Sequence, residues 1–349
     1  MKRLPILLLR DFSKAFFIFL LLFASESLSQ NLFIIEGKVT DAKTNEPLAY
    51  VNVFLSQTTI GATTDINGIY KIGKIPRGNY ALVASMVGYE SRVMMVDLTN
   101  NHKTILNLSL DRSVYEFNQI IVQGEVPQKW LDQLEIFKKM LFGSNIYAKK
   151  CVIKNPYQID FKEENSKLTA TAREPIIIQN NALGYKIECV LKSFTYDINN
   201  MGISYQIYPS FTELRAVTTD SVDNYLSARK DVYLGSVAQL LSSLAAGNYK
   251  FRDEGFELYV GGQLIKKANE IVQLDSVNQK CFLKAKDCLL VKYWDEGKQT
   301  SSRICLTTGI TEFDPYGYLI NPDEFTLRGA FAHEGIATML PRFWKPEKK

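Results

Sequence analysis

Between residues 34 and 110, apolar and polar positions alternate in short runs separated by turn residues. In the run 47–55, Ala49, Val51, Val53 and Leu55 share one face, with Tyr50 and Asn52 on the other. This period of two marks a sheet with one buried face. Runs at 34–40, 69–72, 80–87, 92–97 and 104–110 read as strands as well. Asp65, Asn67 and Gly68 form a turn signal between them, and Pro76, Arg77 and Gly78 form another. Glycine supplies a positive φ cheaply, and Asp and Asn side chains bond nearby backbone N–H groups. About seven short strands at regular spacing predict a β-sandwich. Asp65 and Asn67 are spaced like cation ligands, but no further acid follows at loop-ligand spacing, so the turn reading is preferred.

From Pro127 the period changes. Trp130, Leu134, Phe137 and Leu141 recur at helical spacing, Pro127 suits a first turn, and Gly143-Ser144 ends the segment. An aromatic stripe of this kind reads as core. Strand patterns follow at 157–161, 168–172, 176–179, 185–194, 203–208, 255–260, 270–275, 281–286, 288–294, 300–307 and 311–313. One helix interrupts them, with Tyr233, Val237, Leu240, Leu241 and Leu244 on a shared face and Gly247-Asn248 as its stop. The chain is therefore expected to be mainly β: a seven-stranded sandwich, then an α+β domain with a large antiparallel sheet and two or three helices.

Residues 15–24 are an unbroken apolar run behind Lys2, Arg3, Arg10 and Lys14, with Ser27 and Ser29 spaced for cleavage before Gln30. This is the form of a secretory signal peptide, and the run is short for a membrane span of about 20 residues. No cysteine near the cleavage point could accept a lipid. The expected organisation is a leader at 1–29, the sandwich at 30–112, a linker strand at 113–126 and the α+β domain at 127–349. Loss of the leader removes four bases and two acids and leaves 37 bases against 35 acids. That balance gives no electrostatic case for nucleic acid or for an anionic membrane surface. Five cysteines, at 151, 189, 281, 288 and 305, leave at least one unpaired. Cys281, Cys288 and Cys305 sit in apolar runs, so buried thiols compete with one disulfide of unassigned pairing.

Several spaced motifs add to this reading: Gly37, Val39 and Asp41; Pro47, Leu48, Val51 and Val53; Thr63, Asp65, Asn67, Gly68 and Tyr70; Ile75, Pro76, Gly78 and Tyr80; and Gly88-Tyr89. Together they resemble the carboxypeptidase-like regulatory domain, which implies a prealbumin-like sandwich and the envelope of Bacteroidota. Glu116 to Gly124 is similar to the strand that follows this domain in TonB-dependent receptors. The 225 residues beyond it are too few for a plug and a barrel of about 22 strands. Further phrases resemble an uncharacterised family of Bacteroidota envelope proteins that carry the same domain. They include Glu174-Pro175, Asn181-Ala182-Leu183-Gly184-Tyr185, Tyr208-Pro209-Ser210-Phe211, Arg229-Lys230 and Asp314 with Tyr316-Gly317. That resemblance implies no reaction, and Gln239 stands where its members carry a histidine.

A zinc carboxypeptidase needs H-x-x-E, a second histidine, a catalytic glutamate and a substrate-binding arginine. The chain has two histidines, and the residues three beyond His102 and His333 are Ile105 and Ile336. No G-x-S-x-G and no phosphate loop occurs. Glu163-Glu164 and Asp253-Glu254 flank polar turns and read as solvated faces. The expectation is an exported, non-enzymatic binding or assembly protein of the envelope. It carries no catalytic, cofactor or metal residue and lies in the periplasm or at the outer membrane. Its partner is an envelope protein or glycan, met by the sandwich through loops or an edge strand. The rivals are a small outer-membrane barrel or receptor-associated protein, and a hydrolase using His333 or a carboxylate pair.

Overall fold

The computed structural model of the chain describes residues 32–113, 126–216, 218–275, 280–321 and 324–347. The expected leader at 1–29 and the receptor-like strand at 116–124 lie outside the described residues. Among the described residues no helix is long and apolar enough to cross a membrane.

The first eight strands are β1 (Phe33–Asp41), β2 (Asn52–Leu55), β3 (Gly61–Thr63), β4 (Ile69–Ile75), β5 (Gly78–Ser85), β6 (Arg92–Leu98), β7 (Lys103–Ile105) and β8 (Leu108–Leu110). They form two facing sheets. In one, β4, β7 and β8 all pair with β1; the other runs β3-β2-β5-β6. Alternation places Val53, Leu55, Leu82 and Ala84 of the second sheet against Ile35, Val39, Tyr70 and Ile72 of the first. The predicted strand at 104–110 divides at Leu106, whose carbonyl accepts the Tyr70 hydroxyl at 2.8 Å. Asp65 Oδ1 accepts the amides of Asn67 and Ile69, so that oxygen serves the hairpin turn. Asp41 binds the end of the sandwich to its start, taking Arg112 Nε at 2.8 Å and the Tyr89 hydroxyl at 3.0 Å on Oδ2.

The remainder is mainly antiparallel sheet with helices, but the single large sheet expected is divided. Helix α1 (Gln128–Phe142) precedes β9 (Cys151–Ile153), β10 (Ile159–Glu164), β11 (Lys167–Ala172), β12 (Ile176–Asn180), β13 (Tyr185–Asp197) and β14 (Gly202–Glu213). These strands form one sheet organised on β13, which pairs with β14 along one edge and with β12 and β11 along the other. Leu134, Phe137 and Leu141 of α1 are buried against Ile176, Ile178, Ile187 and Phe194 of this sheet. The aromatic stripe is core, as its spacing predicts.

Three helices then separate this sheet from the next two: α2 (Thr219–Tyr233), α3 (Val237–Ala246) and α4 (Lys250–Asp253). The strands beyond are β15 (Phe256–Val260), β16 (Gln263–Ile265), β17 (Val272–Asp275), β18 (Lys280–Lys284), β19 (Leu289–Asp295), β20 (Lys298–Leu306), β21 (Ile310–Phe313) and β22 (Phe325–Gly329). They form a five-stranded sheet, β16-β15-β19-β20-β22, and a three-stranded sheet, β17-β18-β21. A second buried cluster, with Leu240, Leu244, Phe251, Leu258, Leu283 and Val291, joins α3 and α4 to both. The described strands therefore lie in open sheets packed by helices. This removes the barrel rival, since these sheets do not close on themselves and several faces are buried beneath helices.

The single predicted helix with Tyr233 and Leu244 on one face is two helices. Gly235 breaks the run at φ +74°, and a Cβ there would lie 2.5 Å from the Tyr293 ring. Ser236 then restarts the helix, its Oγ accepting the Gln239 amide. Gln239 returns an acceptor to the break, binding the Gly235 N–H at 2.6 Å.

Cys288 and Cys305 form the disulfide, while Cys151, Cys189 and Cys281 are buried free thiols. The register explains the pairing. Leu289 and Ile304 are opposed and buried, so the next residues outward, Cys288 and Cys305, meet on the opposite face.

The sandwich docks on the six-stranded sheet. Phe54 and Val83, on its outer face, pack with Val190 beside Tyr208. The turn after β2 extends the free edge of β14: Gln57 donates to the Pro209 carbonyl, and Phe211 donates to that of Thr58. Asn52 donates to Glu188 at 3.0 Å. The C-terminal segment closes the joint. The Arg342 amide donates to the Gln57 carbonyl at 2.7 Å, and its guanidinium donates to the Asn79 carbonyl at 2.7 Å.

Candidate functional site

A cavity of about 470 Å³ opens among α2, α3, the 316–319 turn, β22 and the C-terminal segment. The 314–318 turn is set by Asp314, whose Oδ1 accepts the amides of Tyr316 and Tyr318 at 2.8 and 2.9 Å. Its Oδ2 lies 2.5 Å from Arg342 Nε, and both side chains are 6% exposed. The Tyr318 hydroxyl donates to the Leu340 carbonyl at 2.6 Å, tying the turn to the C-terminal segment. The Asp314–Arg342 pair thus shapes the cavity wall and holds the sandwich joint together.

Most of the lining is aromatic or aliphatic: Tyr205 from β14, Tyr233 from α2, Val237 from α3, Phe325 and Leu327 from β22, and Phe331, Met339 and Trp344 from the last segment. Tyr233 and Trp344 meet edge to face at 5.8 Å. Burial raises the phenol pKa of Tyr205 to about 12 and that of Tyr318 further still. Both therefore offer neutral hydroxyls at any ordinary pH.

Among the described residues Glu334 is the only acid in the lining. Its Oε1 accepts the Val237 N–H at 3.2 Å, on the first residue of α3. Partial desolvation by the cavity walls raises its pKa, toward about 7, against the lowering effect of that hydrogen bond. The side chain itself faces open space and is solvent-exposed, so water entering the cavity tempers the rise.

The residues singled out in the sequence do not assemble there. His333 is exposed and outside the lining, although it is next to Glu334 in sequence. Its carbonyl accepts Asn145 Nδ2 at 3.1 Å. His102 is exposed and stacks on Phe33 at 4.9 Å. Glu163 lies 3.8 Å from Lys129, Glu164 3.0 Å from Lys162, and Glu254 3.1 Å from Lys250, so these acids occupy ion-paired surfaces. Among the described residues the cavity thus holds neither the histidine of the hydrolase rival nor a second carboxylate, and glycoside hydrolysis calls for two. Among the described residues no group of three or more His, Cys, Asp or Glu could hold a metal. Sequence reasoning missed Glu334 and the lining tyrosines. Their one signal was the Asp314, Tyr316 and Gly317 phrase, which carries no chemistry until Arg342 meets it.

Residues 35–122 match the family model of the CarboxypepD_reg-like domain, which identifies the N-terminal sandwich. No curated protein matches the chain. Among solved structures it is similar to the pilus 2b backbone protein of group B streptococcus, at 18% identity and a TM-score of 0.21, over 23% of this chain and 41% of that one. It is also similar to a type II cohesin–X-dockerin complex from Acetivibrio cellulolyticus, at 20% identity and a TM-score of 0.21, over 32% and 76%. A putative membrane-associated protein of unknown function from Bacteroides fragilis aligns at 10% identity and a TM-score of 0.20, over 85% and 97%. The chain thus spans less than half of the pilin, and TM-scores this low lend the three likenesses no weight for function.

Proposed function

We propose that this is an exported, non-enzymatic binding protein of a Bacteroidota-type cell envelope, with its ligand site in the cavity around Glu334. The observation that carries the reading is the lining: among the described residues, aromatic and aliphatic walls with one carboxylate and no histidine. Such a wall supplies burial and orientation for a ligand, without a nucleophile–base pair. The CarboxypepD_reg-like match supports a modular accessory role, and the Cys288–Cys305 disulfide fits an oxidising compartment. In this reading the leader occupies 1–29, the sandwich 30–112, the linker 113–126 and the ligand-binding unit 127–349. The sandwich also serves as the module for an envelope protein or glycan. β6 pairs with β5 alone and carries Met95, which is 61% exposed, so it is the edge for strand addition.

Two measurements test the reading. N-terminal sequencing of protein recovered from an envelope fraction is expected to start at Gln30; recovery from the cytoplasm with the leader intact overturns export. Native mass spectrometry of the same protein is expected to show a retained small molecule, lost when Met339→Trp fills the cavity. Equal spectra for both proteins overturn the cavity as the site.

A further inference from the structure

Glu334 sets the chemistry that the cavity accepts. Its Oε1 is used by the Val237 amide, and among the described residues it has no ion-pair partner. The one cation in the lining among the described residues, Arg342, is already held by Asp314 and by the Asn79 carbonyl. An apolar ligand that filled the cavity would strip water from a carboxylate and leave it unpaired, which is costly. A ligand carrying its own cation reverses that penalty, and the lining holds aromatic rings, Trp344 and Tyr205 among them, of the kind that attract positive charge. A cavity of about 470 Å³ lies within the roughly 300–1,000 Å³ typical of small-molecule sites.

We infer that the cavity takes a small organic amine, its ammonium on Glu334 and its apolar body among the aromatic walls. This rests on the reading of the cavity as a ligand site. The same carboxylate caps α3, so the variant that tests the inference must keep an acceptor for the Val237 amide. Glu334→Gln does so and removes only the charge.

The groups that face Glu334 leave its own ionisation in control. Tyr205 on β14 and Tyr318 in the 314–318 turn feel its charge, and both phenols are held neutral by burial. Tyr233 on α2 is raised as well. The lining residues of α3 and β22 carry no ionisable group, and His333 is outside the cavity. As pH falls the carboxyl takes up a proton while an alkylamine stays charged, so amine binding weakens toward acid.

The test is calorimetric titration of the full exported chain at pH 8 with 4-phenylbutylamine, 4-phenylbutanol and 4-phenylbutyrate. The amine is expected to bind at least about tenfold more tightly than the alcohol, with the acid weakest. Glu334→Gln should lose that advantage and keep the alcohol affinity, which also reports that the variant is folded. If the alcohol matches the amine, or the variant keeps the advantage, the amine inference falls while the cavity stands as a ligand site. If none of the three binds at millimolar concentration, both fall. Should Glu334→Gln not fold, the wild type decides alone: amine affinity unchanged between pH 8 and 5.5 overturns the inference.

Discussion

Glu334 and the free cysteines are governed by the same force with different outcomes. Crowding raises the glutamate from 4.5 to about 7, so between those values the folded chain keeps a proton that the unfolded chain gives up. The glutamate's contribution to stability is therefore full below pH 4.5, declines as pH rises to about 7 and is flat above that. Denaturant titrations of wild type and Glu334→Gln across this window should converge at acid pH and separate in favour of the variant as pH rises. Parallel curves would count against the shift. Burial likewise raises the thiols of Cys151, Cys189 and Cys281 to about 12, which leaves little thiolate. A chromogenic thiol reagent is expected to find almost no reactive sulfur in the native protein and three on unfolding; rapid native labelling would contradict the burial. Neither effect was legible in the sequence. His333 attracted attention by its residue type, yet its neighbour Glu334 faces the cavity, because the backbone turns there after the short helix Ala330–His333.

At the level of elements, the sandwich and α1 were readable because their burial follows local period. Val53 and Leu55 point inward as alternation requires, and Phe137 and Leu141 face the sheet. Helix α2 was missed because it buries little, with only Arg229 and Tyr233 below the surface. The α2–α3 break has a local signal in Gly235-Ser236 that the helical spacing of Tyr233 and Val237 masked, and the Tyr293 ring beside Gly235 leaves no room for a side chain there. Ser236 makes the restart, donating to the Tyr233 carbonyl at 2.7 Å and accepting from Gln239. Ser236→Ala should cost about 1 kcal/mol in chemical denaturation; no change would show that α3 is held by packing alone. The disulfide closes a separation of 17 residues, and Cys288 is exposed to reductant. Replacing both cysteines by alanine should lower stability by about 3 kcal/mol, read from the shift in denaturation midpoint.

The whole molecule depends on the joint at Arg342. Its side chain is 6% exposed, lies 4.4 Å from the Tyr80 ring centroid and is paired with Asp314. Arg342→Met leaves Asp314 buried without its cation, for an expected loss of about 3–5 kcal/mol. Limited proteolysis should then release a sandwich fragment that the wild type withholds; identical digestion patterns would show that the Phe54, Val83 and Val190 contact suffices. The sandwich was expected to offer an edge to a partner. The β6 edge remains open for that role, while at the other end of the sheet the β2–β3 turn occupies the edge of β14 within the same chain. No local pattern announces a pairing between Thr58 and Ser210, since one hydrogen-bonded bridge has no periodicity.

That joint also imposes an order of events. Arg342 reaches back to Asn79 across 263 positions, and contacts so distant in sequence form late and slowly. A chain that emerges N-terminus first can complete the sandwich early. The hydrophobic side of Phe54 and Val83 then stays open until β13 and β14 arrive, and the clasp shuts only with the final residues. For that interval the emerging protein carries an uncovered sticky surface, so its folding yield should depend on whichever helpers shield unfinished chains.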